Sequence, residues 1–340
     1  MADRSSGAES SQLTSLQSTK PYEVTILLLE QFAMIAFSST VEPLREANWI
    51  SGSRAFAWKV VSHDGRAVRA SNGMTVSVDG SIADASFCPM VIVCSSFDPH
   101  LYITPAMLVW LRKFARWGSH IGGVETGAYV LARAGLLNHH RATIHWENSE
   151  SFAAEFPKVQ LTGRIYEIDR RRFSASGAAA AMDMMLYFIT LKLGRQVASA
   201  VAEEFIYNRM REAQIPQRPE ASERLNTRQP RLRRLLRLLD SHLNDRFDVG
   251  RMAASEGISE REVRRLFRTY LKASPQAYHR ALRLQKARMM LRQSDMSVSD
   301  VAHHFGFGSG SDFSRAFKRE FGTTPLDDRS AIYVLDRSAN

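Results

Sequence analysis

The sequence predicts an α/β domain followed by an all-α domain, and three observations carry this prediction. From Pro21 to about Thr190, apolar runs of strand length alternate with segments of helical spacing. A polar stretch without periodicity then covers residues 211–229. Beyond it the chain is helical in pattern and repeats itself once. A length of 340 residues accommodates two domains of ordinary size.

Fully apolar strands separated by helices indicate a parallel sheet covered on both faces. We therefore expect an α/β, flavodoxin-like sandwich over residues 21–210. Thr104 and Pro105 suit the N-cap and first turn of a helix. Strands are predicted over residues 22–30, 57–63, 89–96, 119–124 and 141–146. Helices are predicted over residues 39–50 and 104–118, directly after Glu125, and over residues 178–212.

The chain ends and the cysteines narrow the class of protein. Residues 1–20 are polar and lack the apolar core of a signal peptide, so a disordered tail is expected there, and residues 331–340 are expected to form a C-terminal tail. The longest apolar stretch is short and contains Asp183, so no membrane partner is expected. Cys88 and Cys94 suit buried, reduced thiols of a cytoplasmic protein.

The positive charge is concentrated in the last third of the chain. Residues 221–340 hold 23 Lys and Arg against 14 Asp and Glu, whereas residues 1–220 hold 22 against 21. A basic C-terminal part favours a polyanion partner, although charge alone is equally compatible with a solvated basic surface.

The C-terminal repeat has the plan of a helix-turn-helix motif. Residues 252–275 align with residues 301–325 at an offset of 49, then of 50 after one inserted residue. In each copy a glycine, Gly257 or Gly306, precedes a Ser-x-x-acid capping box. The second helix of such a motif enters the major groove of DNA.

Subtracting the apolar core positions leaves the side chains that the second helices present to DNA. Arginine suits guanine edges and phosphates. The candidate DNA-binding residues are Arg261, Arg264, Arg265 and Arg268 in the first copy, and Ser311, Ser314, Arg315, Lys318 and Arg319 in the second.

Residues 230–330 resemble the DNA-binding domain of the AraC family of transcriptional regulators. The resemblance is carried by "SPQAYHRALRLQKARMML" and "VAHHFGFGSGSDFSRAFKREFGTTPLDDR". It implies base reading by Arg261, Arg264 and Arg265 in the first copy, and by Ser311, Ser314 and Arg315 in the second. The sequence departs from the family at Lys272, where a glycine is usual, and at "PLDDR", where an aromatic residue commonly precedes the arginine.

In the first domain, "GGVETGAYVLARAGLL" predicts a strand, a sharp turn and a helix, with Glu125 at the turn. With "RATIHW" and the strand order, it resembles the class I glutamine amidotransferase-like superfamily, including PfpI-type proteases. Enzymatic members of that superfamily carry a cysteine at this turn. Here Glu125 replaces it, the acid expected after the first strand is missing, and Ser95 and Ser96 stand where two glycines are usual. The resemblance therefore implies the fold without the enzyme activity, and no catalytic residue is assigned.

We expect this turn to hold a ligand instead. A carboxylate at a helix N-terminus is favoured by the helix dipole, and an indole face attracts ammonium groups. The candidate ligand-binding residues are Glu125, Thr126, His145, Trp146, Glu147, Ser95 and Ser96. Glu125 as a helix cap, Trp146 as core, Glu147 as a helix start and His145 as a structural histidine remain open alternatives. No metal or cofactor is predicted.

The combined hypothesis is a cytoplasmic transcriptional regulator that binds double-stranded DNA and is controlled by a small cationic or zwitterionic metabolite. The domain pair resembles that of the GlxA-like regulators, and the resemblance implies a small amine or amino acid as ligand, since some of those regulators sense arginine, carnitine or glycine betaine. A homodimer is expected, and RNA polymerase is a further candidate partner. An amidohydrolase or deglycase fused to a DNA-binding domain is the alternative, and a ligand-blind architectural protein is a third.

Overall fold

The computed structural model describes residues 20–207, 210–217, 229–243, 245 and 247–330. The chain divides into two compact units, Met1–Gln217 and Arg218–Asn340. The predicted tails, except Lys20, and residues 218–228 of the predicted linker lie outside the described residues.

The first unit is built on a seven-stranded sheet. The strands of the unit are β1 Tyr22–Leu28, β2 Phe56–Ser62, β3 Val68–Arg69, β4 Thr75–Val76, β5 Gly80–Ser81, β6 Met90–Ser95, β7 His120–Glu125, β8 Arg141–Ala142, β9 Gln160–Leu161, β10 Tyr166–Asp169 and β11 Arg172–Ala175. The order in the sheet is β10-β11-β7-β6-β1-β2-β5. Every pairing in it is parallel except the edge pair of β10 with β11, so the predicted parallel sheet is in fact a mixed one.

Helices cover both faces of this sheet, as the apolar strands predict. The helices are α1 Met34–Ser51, α2 Pro99–Tyr102, α3 Pro105–Arg116, α4 Gly127–Arg133, α5 Ser149–Glu155, α6 Ala178–Leu193 and α7 Arg195–Glu204. In one hydrophobic core α1, α6 and α7 pack on the sheet, and in a second core α3 and α4 pack on the other face. Thr104 caps α3 as expected, since its side chain accepts from the backbone N–H of Met107.

Two predicted elements of this unit are wrong in extent. The strand predicted over 141–146 is only the two-residue β8, which pairs with β9 outside the main sheet. A 3-10 turn follows it over Trp146–Asn148. The helix predicted over 178–212 is interrupted at Gly194, whose φ is 88°, and α7 ends at Glu204.

The chain stays on the first unit beyond the predicted domain end at 210. The backbone N–H of Arg211 donates to Asp183, and the Gln217 side chain donates to the Thr143 hydroxyl and to the Ile144 carbonyl. Residues 211–217 thus pack with the first unit, although they fall within the predicted linker over 211–229.

The second unit contains two helix-turn-helix copies, one over residues 249–271 and the other over residues 298–321. Leucines of its first helix pack against Met252, Val263 and Phe267 in the core of the first copy. The helices are α8 Pro230–Ser241, α9 Val249–Ser255, α10 Glu260–Leu271, α11 Pro275–Gln293, α12 Val298–His304 and α13 Gly310–Phe321.

The two departures from the AraC pattern have structural counterparts. Lys272 ends α10 with a φ of 55°, the left-handed conformation that Gly322 adopts at the end of α13. Asp328 of "PLDDR" is 2% exposed and accepts hydrogen bonds from Arg288 and Arg292 of α11. The fold therefore tolerates both changes, at a backbone cost of about 1–2 kcal/mol for Lys272.

Candidate ligand site and nucleic-acid interface

Glu125 stands on the sharp turn between β7 and α4, as the sequence predicts. Its φ is 60°, a left-handed conformation that costs a non-glycine residue about 1–2 kcal/mol. A Cβ at Gly123 would lie 2.3 Å from the carbonyl carbon of Gly127, and one at Gly127 would lie 2.2 Å from the carbonyl oxygen of Val93. Only glycine fits at these two positions, so the sequence fixes the tight approach of strand and helix.

Thr126 and the two serines connect the turn to β6. The Thr126 hydroxyl approaches the backbone carbonyl of Ser96 at 2.6 Å and the Ser95 hydroxyl at 3.2 Å. Thr126 and Ser95 are buried, at 3% and 1% exposure. These contacts support the turn from below the sheet edge, and a direct role of the three residues in ligand binding stays a prediction.

His145 reaches the same place as Glu125. A Cβ at Gly177 would lie 3.7 Å from His145 Cδ2 and 3.8 Å from Glu125 Oε1, so both side chains flank one backbone point. Gly177 follows β11 and precedes α6. Sequence reasoning missed it because β11 was not predicted, although a glycine directly before a long helix was a usable signal.

Trp146 and Glu147 extend this cluster. The rings of His145 and Trp146 are 5.4 Å apart, and His145 Nδ1 lies 3.8 Å from the Glu147 carboxylate. Trp146 and Glu147 are half-buried rather than core residues. His145 and Glu147 therefore lie near Glu125, and Trp146 packs against His145, although only Arg141–Ala142 of the predicted strand forms.

Glu125 is not the permanently ionised carboxylate that a helix N-terminus would favour. Burial, followed by the like charge of Glu147, raises the pKa of Glu125 to about 7. Among the residues that the structure describes, none forms an ion pair with this carboxyl group. The carboxyl is thus poised between its neutral and ionised forms, and a nearby cation would favour the ionised form.

The cysteines do not replace the missing nucleophile. Both are free and buried. Burial raises the pKa of Cys94 to about 12, so its thiol is neutral near pH 7 and lacks thiolate reactivity. No group of three or more metal-binding side chains occurs among the described residues.

The second helices of the two repeats, α10 and α13, carry the predicted DNA-binding residues on their solvent side. The side chains of Ser259 and Ser309 accept from the backbone N–H groups of Glu262 and Asp312, which confirms both predicted caps. Gly257 and Gly306 have φ values of 61° and 64° in the two turns. Of the nine candidate residues all are exposed except Ser314, which is half-buried.

Three of these arginines pair with acids one turn earlier in their own helix. Arg264 lies 2.6 Å from Glu260, Arg265 lies 2.7 Å from Glu262, and Arg315 contacts Asp312. Exposed ion pairs of this kind contribute about 0–1 kcal/mol, so phosphate or guanine can replace the acid at little cost.

An α/β sandwich joined to tandem, arginine-bearing helix-turn-helix units defines a class, the DNA-binding transcriptional regulators. The Helix-turn-helix domain family matches residues 252–331, and the DJ-1/PfpI family matches residues 22–191. The chain belongs to the HTH-type transcriptional regulators that join a DJ-1/PfpI domain to an AraC-type DNA-binding domain.

Proteins of this architecture are similar along most of the chain. The HTH-type transcriptional regulator GbdR of Pseudomonas aeruginosa is 39% identical over 92% of this chain and 85% of its own length. The regulator CdhR of the same species is 38% identical over 90% and 91%. The crystal structure of an AraC family transcriptional regulator from Pseudomonas putida matches 54% of this chain and all of its own, with a TM-score of 0.51 and 29% identity. In the described part of the chain, no helix has the length and apolar character to cross a bilayer.

Proposed function

We propose that this regulator works in the cytoplasm as a homodimer that reads specific DNA sequences and responds to a small cationic or zwitterionic metabolite. The observation that carries the proposal is the Glu125 carboxyl, which is held on a strained turn beside Glu147 without a basic partner among the described residues. Strain and uncompensated charge persist where they serve a function.

A quaternary ammonium or amine group would supply the missing compensation. Two carboxylates give it counter-charge, and the Trp146 indole would add about 0.5–2 kcal/mol of cation–π attraction. Amines, betaines and amino acids such as glycine betaine, carnitine and arginine meet this description.

The test of the ligand class is calorimetric titration with glycine betaine, carnitine and arginine between pH 6 and pH 8. A cation binds the ionised carboxyl, so with a pKa of about 7 its affinity should rise by about tenfold over this range. Glu125→Gln should abolish the rise, whereas Glu42→Gln, an exposed carboxylate of the same unit, should preserve it. The matched control ligand is 3,3-dimethylbutanoate, which has the shape of glycine betaine with carbon in place of nitrogen. Equal binding of the two would contradict the proposal.

DNA reading is assigned to the nine exposed and half-buried residues of α10 and α13. Replacement of Arg264 or Arg265 by alanine should weaken binding to a promoter duplex by about 1–3 kcal/mol where the arginine reads a base. Fluorescence anisotropy at several salt concentrations measures this, because phosphate contacts make affinity fall with salt. Arg66→Ala, an exposed arginine of the first unit, is the control. Binding that is insensitive to both salt and Arg264 would contradict the assignment.

One observation favours the enzyme alternative, namely a carboxyl with a pKa of about 7 on a strained turn beside His145. Such features also mark catalytic acids. The regulators GbdR and CdhR argue for a binding role, and we propose that no turnover occurs. A turnover assay with an α-oxoaldehyde separates the two, since product formation that Glu125→Gln abolishes would support the enzyme.

A further inference from the structure

The first unit ends in a segment that is hydrogen-bonded to the residues directly before His145 in the candidate ligand site. This exit segment, residues 210–217, runs alongside residues 163–165. Ile165 N–H donates to the Ile215 carbonyl at 3.1 Å, and Gln217 N–H donates to the Gly163 carbonyl at 3.0 Å. After Gln217 the chain passes into the second unit. Whatever holds Gln217 therefore holds the start of the connection to the DNA-binding helices.

The Gln217 side chain hydrogen-bonds to residues that directly precede the candidate site in the chain, and to Arg164. Its Nε2 group donates to Thr143 Oγ1 at 2.8 Å, to the Ile144 carbonyl at 2.9 Å and to the Arg164 carbonyl at 3.1 Å. Thr143 is fully buried, and its own N–H donates to Ser174 Oγ at 2.8 Å. His145, Trp146 and Glu147 come next in the chain, so a shift of these residues moves the acceptors of Gln217.

A second contact links the exit segment to the other wall of the site. Asp183 of α6 accepts from the backbone N–H of Arg211 at 2.7 Å, from Arg211 Nε at 2.9 Å and from the Tyr207 hydroxyl at 3.0 Å. The N-terminus of α6 follows Gly177, the backbone point flanked by Glu125 and His145. Both ends of the exit segment thus rest on elements that border the ligand site.

The hydrogen-bonding groups of the Gln217 side chain are only partly satisfied. Its amide group shares two N–H groups among three acceptors, while its Oε1 atom is buried without a hydrogen-bond partner among the described residues. Both backbone carbonyls require the amide N–H, so rotating the amide would not improve the arrangement. Because Oε1 is buried without a partner, displacing the Gln217 side chain costs less free energy than displacing a fully hydrogen-bonded amide would.

From these contacts we infer that Gln217 is a positioning residue that couples the state of the Glu125 site to the exit segment and so to the DNA-binding unit. This inference rests on the proposed ligand site. Coupling of this kind is reciprocal. A state of the ligand site that displaces Gln217 is therefore disfavoured when the Gln217 side chain keeps its hydrogen bonds. The cationic probe is expected to shift residues 143–147, and the exit segment is expected to follow.

Hydrogen exchange of the full chain tests the coupling from both sides. Gln217→Met keeps the side-chain volume and removes the donor, and Gln217→Ala is the second variant. Each should speed amide exchange in residues 143–147 severalfold, whereas Gln196→Ala on the exposed face of α7 should not. Conversely, Glu125→Gln should alter exchange in residues 213–217 of the parent protein but not of Gln217→Met. Unchanged exchange in either direction overturns the inference.

A functional readout separates this inference from the ligand proposal. Glycine betaine should change the affinity of the parent protein for a promoter duplex, and Gln217→Met should reduce that change while retaining glycine betaine binding. If none of the three cationic probes binds but the exchange coupling is present, the ligand class is wrong and the role of Gln217 stands. If a probe binds and Gln217→Met responds on DNA as the parent does, the role of Gln217 is wrong.

Discussion

Asp183 and Glu125 are carboxylates of the same unit, and the protein around them treats them in opposite ways. Burial raises the pKa of Asp183, while Arg211 and Tyr207 act against that shift through an ion pair and hydrogen bonds. Burial also raises the pKa of Glu125, and its charged neighbour Glu147 raises it further. The protein thus pairs the carboxylate of Asp183 with an arginine, whereas the carboxyl of Glu125 on the strained turn has no ion-pair partner among the described residues.

The difference shows where the ligand site departs from a structural ion pair. Glu46 and Glu167 are also buried, and each lies beside arginine, as Asp183 does. A carboxyl that breaks this pattern is a candidate for binding something from outside the protein.

The largest effect is expected at Asp183. Asp183→Ala leaves Arg211 and the Tyr207 hydroxyl without their acceptor and should destabilise the first unit by about 3 kcal/mol. All five tryptophans lie in residues 49–146, so tryptophan fluorescence in urea reports the first unit alone. The control is Asp64→Ala, which removes an exposed pair with Arg66 and should cost below about 0.5 kcal/mol. Equal losses would erase the distinction between the two kinds of pair.

Glu125→Gln should have the opposite sign. The folded pKa of about 7 lies above the ordinary value of 4.5, so ionisation of Glu125 opposes folding, increasingly as the pH rises from about 4.5 through 7. The variant should therefore be more stable than the parent by about 1–3 kcal/mol at pH 8, and nearly equal to it at pH 4.5. Urea unfolding at both pH values measures the difference. A gain that does not depend on pH would mean that Glu125 carries no uncompensated charge.

The turn around Glu125 and the caps of the second unit could be predicted from the sequence because their causes are local. Gly123 is required by its close contact with Gly127, four residues ahead in the turn. Ser259 and Ser309 cap helices through N–H groups three residues ahead. Such features are visible in a short window of sequence.

The segment 141–146 shows why the rest could not be predicted. Thr143 and Ile144 are fully buried, which explains the apolar pattern that suggested a strand. Their polar backbone atoms pair instead with Ser174 and Gln217, whose side chains come from distant parts of the chain. The pKa of Glu125 depends in the same way on burial and on Glu147, neither of which a local pattern reveals.

The smallest effect extends the comparison to the exposed carboxylates of the DNA-binding helix. Glu260→Gln removes the acid 2.6 Å from Arg264 and should cost about 0.3–0.5 kcal/mol of stability. The freed Arg264 should then bind a promoter duplex about twofold more tightly, because DNA no longer competes with Glu260 for it. Glu203→Gln in the first unit changes the net charge equally and serves as the control in fluorescence anisotropy. A gain of the same size in both variants would show that overall charge, and not release of Arg264, sets the affinity.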